Sequence, residues 1–233
     1  MTRKPLARAT AGRADWGRPL PRAAYAGDCL RVARDLIGRV LVCGTGSARV
    51  AGRIVEVEAY RGVGDPASHA YRGPTPRTAV MFGPPGYSYV YFTYGMHDCL
   101  NIVTEPEGQA AAVLLRALEP LEGVSLMRRR RQGRGKRLAD AELARGPGNL
   151  TRALGLSRRH SGLDLTRGPL WVSSRPRRLG GRRVRATPRI GIRRATRRRW
   201  RFLLEGNPAV SSPPRARAAR KPTGAGVSRP VRR

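Results

Sequence analysis

Between Arg22 and Ile37 the apolar residues Leu30, Val32, Ala33, Leu36 and Ile37 recur at helical spacing, and Gly38 offers a stop, so the pattern predicts a helix. The period then changes. Runs at 39–44, 48–60, 87–94, 99–105 and 110–120 read as strands, and the short turns between the later ones argue for antiparallel pairing. Residues 124–145 read as a very basic helical stretch, and "GPGNLTRALGL" (146–156) as a Gly-Pro turn entering a short helix. "GPLWV" (168–172) and "PRIGI" (188–192) look like two late strands, ahead of "WRFLLEGNP" (200–208). No internal repeat emerges. Residues 1–22 and 211–233 lack periodicity and are basic, so the expected organisation is a disordered arm, one folded domain over 23–210, and a disordered tail.

Charge narrows the options for this domain. Lys+Arg number 47 against 15 Asp+Glu, a formal net charge of +32. Such a chain repels itself without a polyanion nearby, which makes nucleic acid the default partner and anionic membrane the competitor. No run approaches the roughly 18 apolar residues of a spanning helix, and no long basic amphipathic helix stands out. Nucleic acid is the better fit. The only lysines are Lys4, Lys136 and Lys221, so the positive charge is almost all arginine. Cys29, Cys43 and Cys99 are too few and too scattered for a disulfide framework or zinc module, which suits a reduced, intracellular setting. The N-terminus has no apolar signal core; it could pass for a transit peptide, but a basic arm is the simpler reading.

Three features could carry chemistry. In "RIVEVEAY" (53–60) the strand period sets Val55, Val57 and Ala59 on one face and Ile54, Glu56, Glu58 and Tyr60 on the other. A solvated polar face is the bland reading. Two carboxylates facing one way would nevertheless weaken polyanion binding, which favours a chemical use, with Glu58 beside Tyr60 the better candidate. The Gly- and Pro-rich loop 61–86 is long enough to suggest function and offers His69, with Asp65, Tyr71 and Thr75 as polar neighbours. Arg116 interrupts the apolar run "AVLLRALEP". It either points outward or needs a buried partner, which Glu58 could supply. Finally, "YVYFTYGM" (89–96) leaves Tyr94 at a turn, where a large ring has little core to enter.

In this order, "RIVEVEAY…GDPASHAYRGPTPRTAVMF", "YVYFTYGMHDCLNIV", "VLLRALEPLEG", "LARGPGNLTRALGL" and "PRIGI" resemble the alkyladenine (3-methyladenine) DNA glycosylase family, from about Ala33 to Val210. The resemblance implies an α+β fold: a single mixed domain with a central curved, mostly antiparallel β-sheet, flanking helices and a protruding β-hairpin. It implies a monofunctional glycosylase that flips alkylated or deaminated purines out of double-stranded DNA and hydrolyses the N-glycosidic bond, starting base excision repair. The expected protein is a monomer with no cofactor, metal or membrane partner, cytoplasmic and nucleoid-associated in a bacterial-type cell.

Residue by residue, the resemblance makes Glu58 the general base and Arg116 the arginine that helps hold the water. Tyr60, His69 and Tyr91 become the base sandwich, Asn101 the amide that screens the base edge, and Ile190 a main-chain carbonyl contact. Tyr94 becomes the ring that enters the minor groove and fills the gap left by the flipped base. No lysine occupies a plausible site position, which argues against a Schiff-base lyase. The chain departs from the family pattern at Thr78, Asn149 and Arg199. Thr78 is expected near the base-facing loop. A non-enzymatic nucleic-acid binder and an RNA-directed protein are the competing readings; they predict binding without base release.

Overall fold

A computed structural model describes residues 14–132 and 137–211. In chain order these form α1 (Cys29–Leu36), β1 (Val40–Cys43), β2 (Val50–Arg61), β3 (Ser88–Thr93), β4 (His97–Thr104), β5 (Ala111–Glu122), α2 (Val124–Arg131), α3 (Pro147–Leu154), β6 (Leu170–Val172), β7 (Val184–Thr187) and β8 (Arg201–Leu204), with short 3₁₀ turns between. All strands belong to one curled antiparallel sheet in the order β3-β4-β5-β2-β1-β6. Strand β8 pairs with the second half of β2 and with β7, so β1 and β8 share one edge of the long β2. The fold is α+β, a mixed single domain, as the resemblance implied.

Helix α1 is shorter than its apolar pattern. Asp28 caps it, its carboxylate accepting from the amides of Leu30 and Arg31 at 3.0 Å each, so the helix starts only at Cys29. The helix expected over 124–145 stops at Arg131, and a 3₁₀ turn at Asp140–Glu142 follows. "PRIGI" is not a strand: residues 188–200 are irregular, and Gly191 has φ +77°, outside the strand region. The late strand lies just before it, at β7, where arginine-rich flanks hid the alternation.

The two ends of the domain also differ from the sequence boundaries. Residues 14–22 were expected in the loose arm, yet Trp16 Nε1 donates to Glu122 at 2.6 Å, Leu20 is buried, and the Leu20 amide bonds the Val172 carbonyl. Apolar burial of Leu20 and an edge pairing of Pro19 with Ser173 tie this stretch to β6. The rest of the arm, 1–13, and the tail from 212 lie outside the described residues, as does Lys136.

Register explains how the site is assembled. Paired residues in an antiparallel ladder point to the same face. Tyr89 pairs with Asn101, Asn101 with Leu114, and Leu114 with Glu58, giving one row across four strands. A second row, Tyr91 with Cys99, lies two residues away, and Tyr60 pairs with Ala112 on the same face. The opposite face, with Val57, Ala59, Val113, Leu115, Ile102 and Leu100, forms the main core under α1 and α3. Both faces of β2 are therefore covered at its centre, which is why Glu56 and Glu58 are buried and not solvated.

Candidate active site

The polar row opens into a cleft of about 530 Å³, within the range of small-molecule sites. Tyr60, His69, Tyr91, Asn101, Arg116 and Ile190 all line it, together with Tyr89 and Cys99. Tyr94 stands at its rim.

Behind the cleft, whose lining it does not join, Glu58 is fully buried. Its Oε1 accepts the Ile190 amide at 2.7 Å, its Oε2 accepts the Tyr60 hydroxyl at 2.8 Å, and Arg116 Nη1 lies 3.3 Å from Oε2. Burial and the adjacent carboxylate push the Tyr60 phenol far above its ordinary value, so it remains a donor to Glu58. Arg116 is turned inward, and its shortest carboxylate contact is with Glu56, not Glu58: its Nε donates to Glu56 Oε1 at 2.9 Å.

Glu56 is the more crowded of the two acids. Its Oε1 also accepts from Arg201 Nε at 2.6 Å and Ser211 Oγ at 2.9 Å, while Oε2 accepts the Ser211 amide at 2.6 Å. Two cations and two neutral donors thus hold it, three of the four on Oε1. Ser211, which the sequence placed in the tail, is part of this buried cluster.

Around the cleft the aromatic wall is built from loop 61–86 and β3. The His69 ring sits edge-on to Tyr91, with centroids 4.5 Å apart, and its Nδ1 bonds the Tyr89 hydroxyl at 3.0 Å. Tyr89, not Asp65, Tyr71 or Thr75, is therefore its hydrogen-bond partner. Partial burial first, then the nearby Arg77 charge, hold His69 below the ordinary imidazole value, and its exposed edge opens onto the cleft. Asn101 is buried and spends one amide hydrogen on the Tyr89 carbonyl at 3.0 Å, which fixes its head at the pocket wall.

At the hairpin tip, Tyr94 and Gly95 are the central residues of the turn Thr93–Met96, and both have positive φ, +51° and +66°. This conformation is unfavourable for a non-glycine residue. Tyr94 is nonetheless 77% exposed, with Met96 and Phe92 also exposed beside it. Its hydroxyl leans toward the 188–194 loop, close to Gly191.

Of the departures, Asn149 reaches the cleft, with its amide on the Arg145 carbonyl, whereas Arg199 bonds the Ala186 carbonyl. Thr78 is buried in a turn with Thr75 and does not line the cleft. Sequence reasoning passed over Arg189 and Arg201, both buried and both bonded to carboxylates. The signal that exposed Arg116, an arginine inside an apolar word, was present in "PRIGI" and "WRFLL" too.

A family model described as methylpurine-DNA glycosylase (MPG) matches residues 23–208. A protein of Frankia casuarinae is 51% identical over 194 residues, covering 79% of this chain and 88% of its own length. One from Bradyrhizobium diazoefficiens is 48% identical over 199 residues, covering 84% and 92%. One from Carboxydothermus hydrogenoformans is 45% identical over 192 residues, covering 82% and 98%. All three are named, provisionally, 3-methyladenine DNA glycosylase.

Proposed function

The chain belongs to the methylpurine-DNA glycosylase family, and on that premise we propose a mechanism for its activity, the hydrolysis of N-glycosyl bonds to alkylated bases in DNA. A damaged purine rotates out of the duplex into the cleft, where Tyr60 and Tyr91 stack on it, His69 borders it and Asn101 screens its edge. Tyr94 fills the vacated space in the duplex as an apolar wedge. Glu58 accepts a proton from a water directed at C1′, with Arg116 and the main chain at Ile190 helping to hold that water.

The observation that carries this reading is the contrast between two buried carboxylates on one strand. Glu56 takes four bonds, two of them from arginines, and of its partners only Arg116 lines the cleft. Glu58 has lighter coordination and sits behind the cleft, bonded to two residues that line it. Flipping costs a few kcal/mol, least for a damaged or mispaired base, which gives selectivity before the pocket is reached. Stacking returns roughly 1–3 kcal/mol per base, and N-alkylation makes the base a good leaving group, so little acid catalysis is needed. The transition state is oxocarbenium-like, and one carboxylate both orients water and stabilises the sugar cation. The products are an abasic site and a free base.

Arginines at the cleft mouth, Arg193 and Arg194, suit the phosphates of the flanking strand. The test is incubation with duplexes that each carry one defined lesion, scored as alkali-labile strand breaks. Breaks at alkylated or deaminated purines are expected. Tight binding without breaks at any lesion would favour the non-enzymatic reading instead.

A further inference from the structure

Arg189 and Asp65 form a buried pair to which the mechanism above gives no role. Arg189 Nη1 and Nη2 reach Asp65 Oδ2 and Oδ1 at 2.7 Å each, and both side chains are fully buried. Nη1 also donates to the Ala59 carbonyl at 2.9 Å. The guanidinium carbon stands 4.5 Å from the Tyr60 ring centroid and 5.1 Å from that of Trp200. One side chain therefore joins strand β2 at Ala59 and Tyr60, the long loop at Asp65, and the irregular segment whose next residue gives its amide to Glu58.

Stability alone accounts poorly for such a pair, because apolar residues of similar volume often serve a buried site as well or better. What a bidentate arginine provides is fixed geometry: two parallel bonds define both the position and the plane of the guanidinium. That geometry is needed here, since residues 188–192 belong to no strand and Gly191 loosens the backbone beside Ile190. We propose that the Asp65–Arg189 pair is a positioning clamp for the reaction, holding the Ile190 N–H on Glu58 Oε1 and the Tyr60 ring and hydroxyl beside it. Arg189 does not line the cleft and acts through Glu58. The inference rests on the reading of Glu58 as the general base.

The experiment is a double-mutant cycle on single-turnover base release, with lesion-duplex affinity and folded fraction measured for each variant. Misplacement by about 1 Å can cost about 10²-fold, so Arg189→Met is expected to slow base release by about 10- to 100-fold while lesion-duplex affinity stays within about threefold. Arg189→Lys should recover only part of the rate, because a point charge cannot reproduce the fork. In a Glu58→Gln background, Arg189→Met should add less than about threefold, since residues acting as a unit are non-additive. Asp65→Asn should give the same pattern in weaker form, and it decides the matter with Arg189→Lys if Arg189→Met does not fold. Full additivity with Glu58→Gln, or a rate defect that vanishes once corrected for folded fraction, overturns the clamp. A Glu58→Gln enzyme close to wild type would instead sink the assignment of Glu58.

Discussion

Ile190 and Glu58 meet across 132 positions of sequence, the Ile190 amide donating to Glu58 Oε1 at 2.7 Å. With the Tyr60 hydroxyl on Oε2, this bond orients the carboxylate behind the cleft. Glutamine has the same size but offers one acceptor oxygen and cannot take a proton. Glu58→Gln should therefore still prefer lesion-bearing over intact duplex while releasing base at least about 10²-fold more slowly, the lower end for a positioned base. Near-wild-type release by this variant in single turnover would remove Glu58 from the chemistry.

Glu56→Gln should fail differently. It leaves Arg116 and Arg201 buried beside a neutral group, and breaking a buried pair costs about 3–5 kcal/mol. The expected result is a clearly lower melting temperature, with activity per folded molecule reduced less than in Glu58→Gln. A thermally normal but inactive Glu56→Gln would show that the roles of the two acids are exchanged.

Tyr94 holds a left-handed backbone conformation that suits glycine better, and its ring is mostly in solvent. Tyr94→Gly should therefore keep or slightly raise thermal stability while impairing base release from fully paired duplex. The defect should shrink when the lesion is already mispaired or unpaired, because less flipping work remains. A sharp fall in melting temperature would mean that the ring serves the fold instead.

Chain ends can be separated at one residue. Cutting after Ser211 keeps the buried cluster with Glu56, whereas cutting before it removes two donors to that carboxylate. Removal of 212–233 should leave melting temperature and chemistry unchanged. It should flatten the salt dependence of DNA binding, the slope of log K against log salt falling by about 0.9 for each lost phosphate contact. Removal of Ser211 as well should lower stability. An unchanged salt slope on losing 212–233 would rule the tail out as a phosphate-contacting element.

His69 gives a pH signature. Its folded value is held down to about 4, against an ordinary 6.5, by burial and by Arg77. Between those values the unfolded chain binds more protons, so stability falls as pH drops from about 6.5 to about 4 and then levels. His69→Gln should lose its share of that slope in urea melts across the window. Equal slopes in both proteins would show that His69 is not held neutral.

The sequence by itself determined the basic charge that suits a nucleic-acid partner, the sheet-rich middle of the chain and, through the family resemblance, Tyr60, His69, Tyr91, Asn101, Arg116 and Ile190 of the cleft. Net charge, strand periods and turn residues act locally or additively, so they can be read without coordinates. Alternation in "RIVEVEAY" put Glu58 and Tyr60 on one side, and the glycine turn after Tyr94 implied an exposed ring. Tertiary structure decided how each carboxylate is held. Glu56 and Glu58 share a strand face, and only the arrival of Arg201 and Ser211, 145 and 155 residues away in sequence, gives Glu56 the heavier coordination. It also decided that "PRIGI" is a loop. Its alternation matched a strand, but a buried Arg189 anchored to Asp65 and an amide committed to Glu58 compete with ladder pairing. Such bonds join distant segments whose meeting depends on sheet register and curl, and no local pattern encodes that.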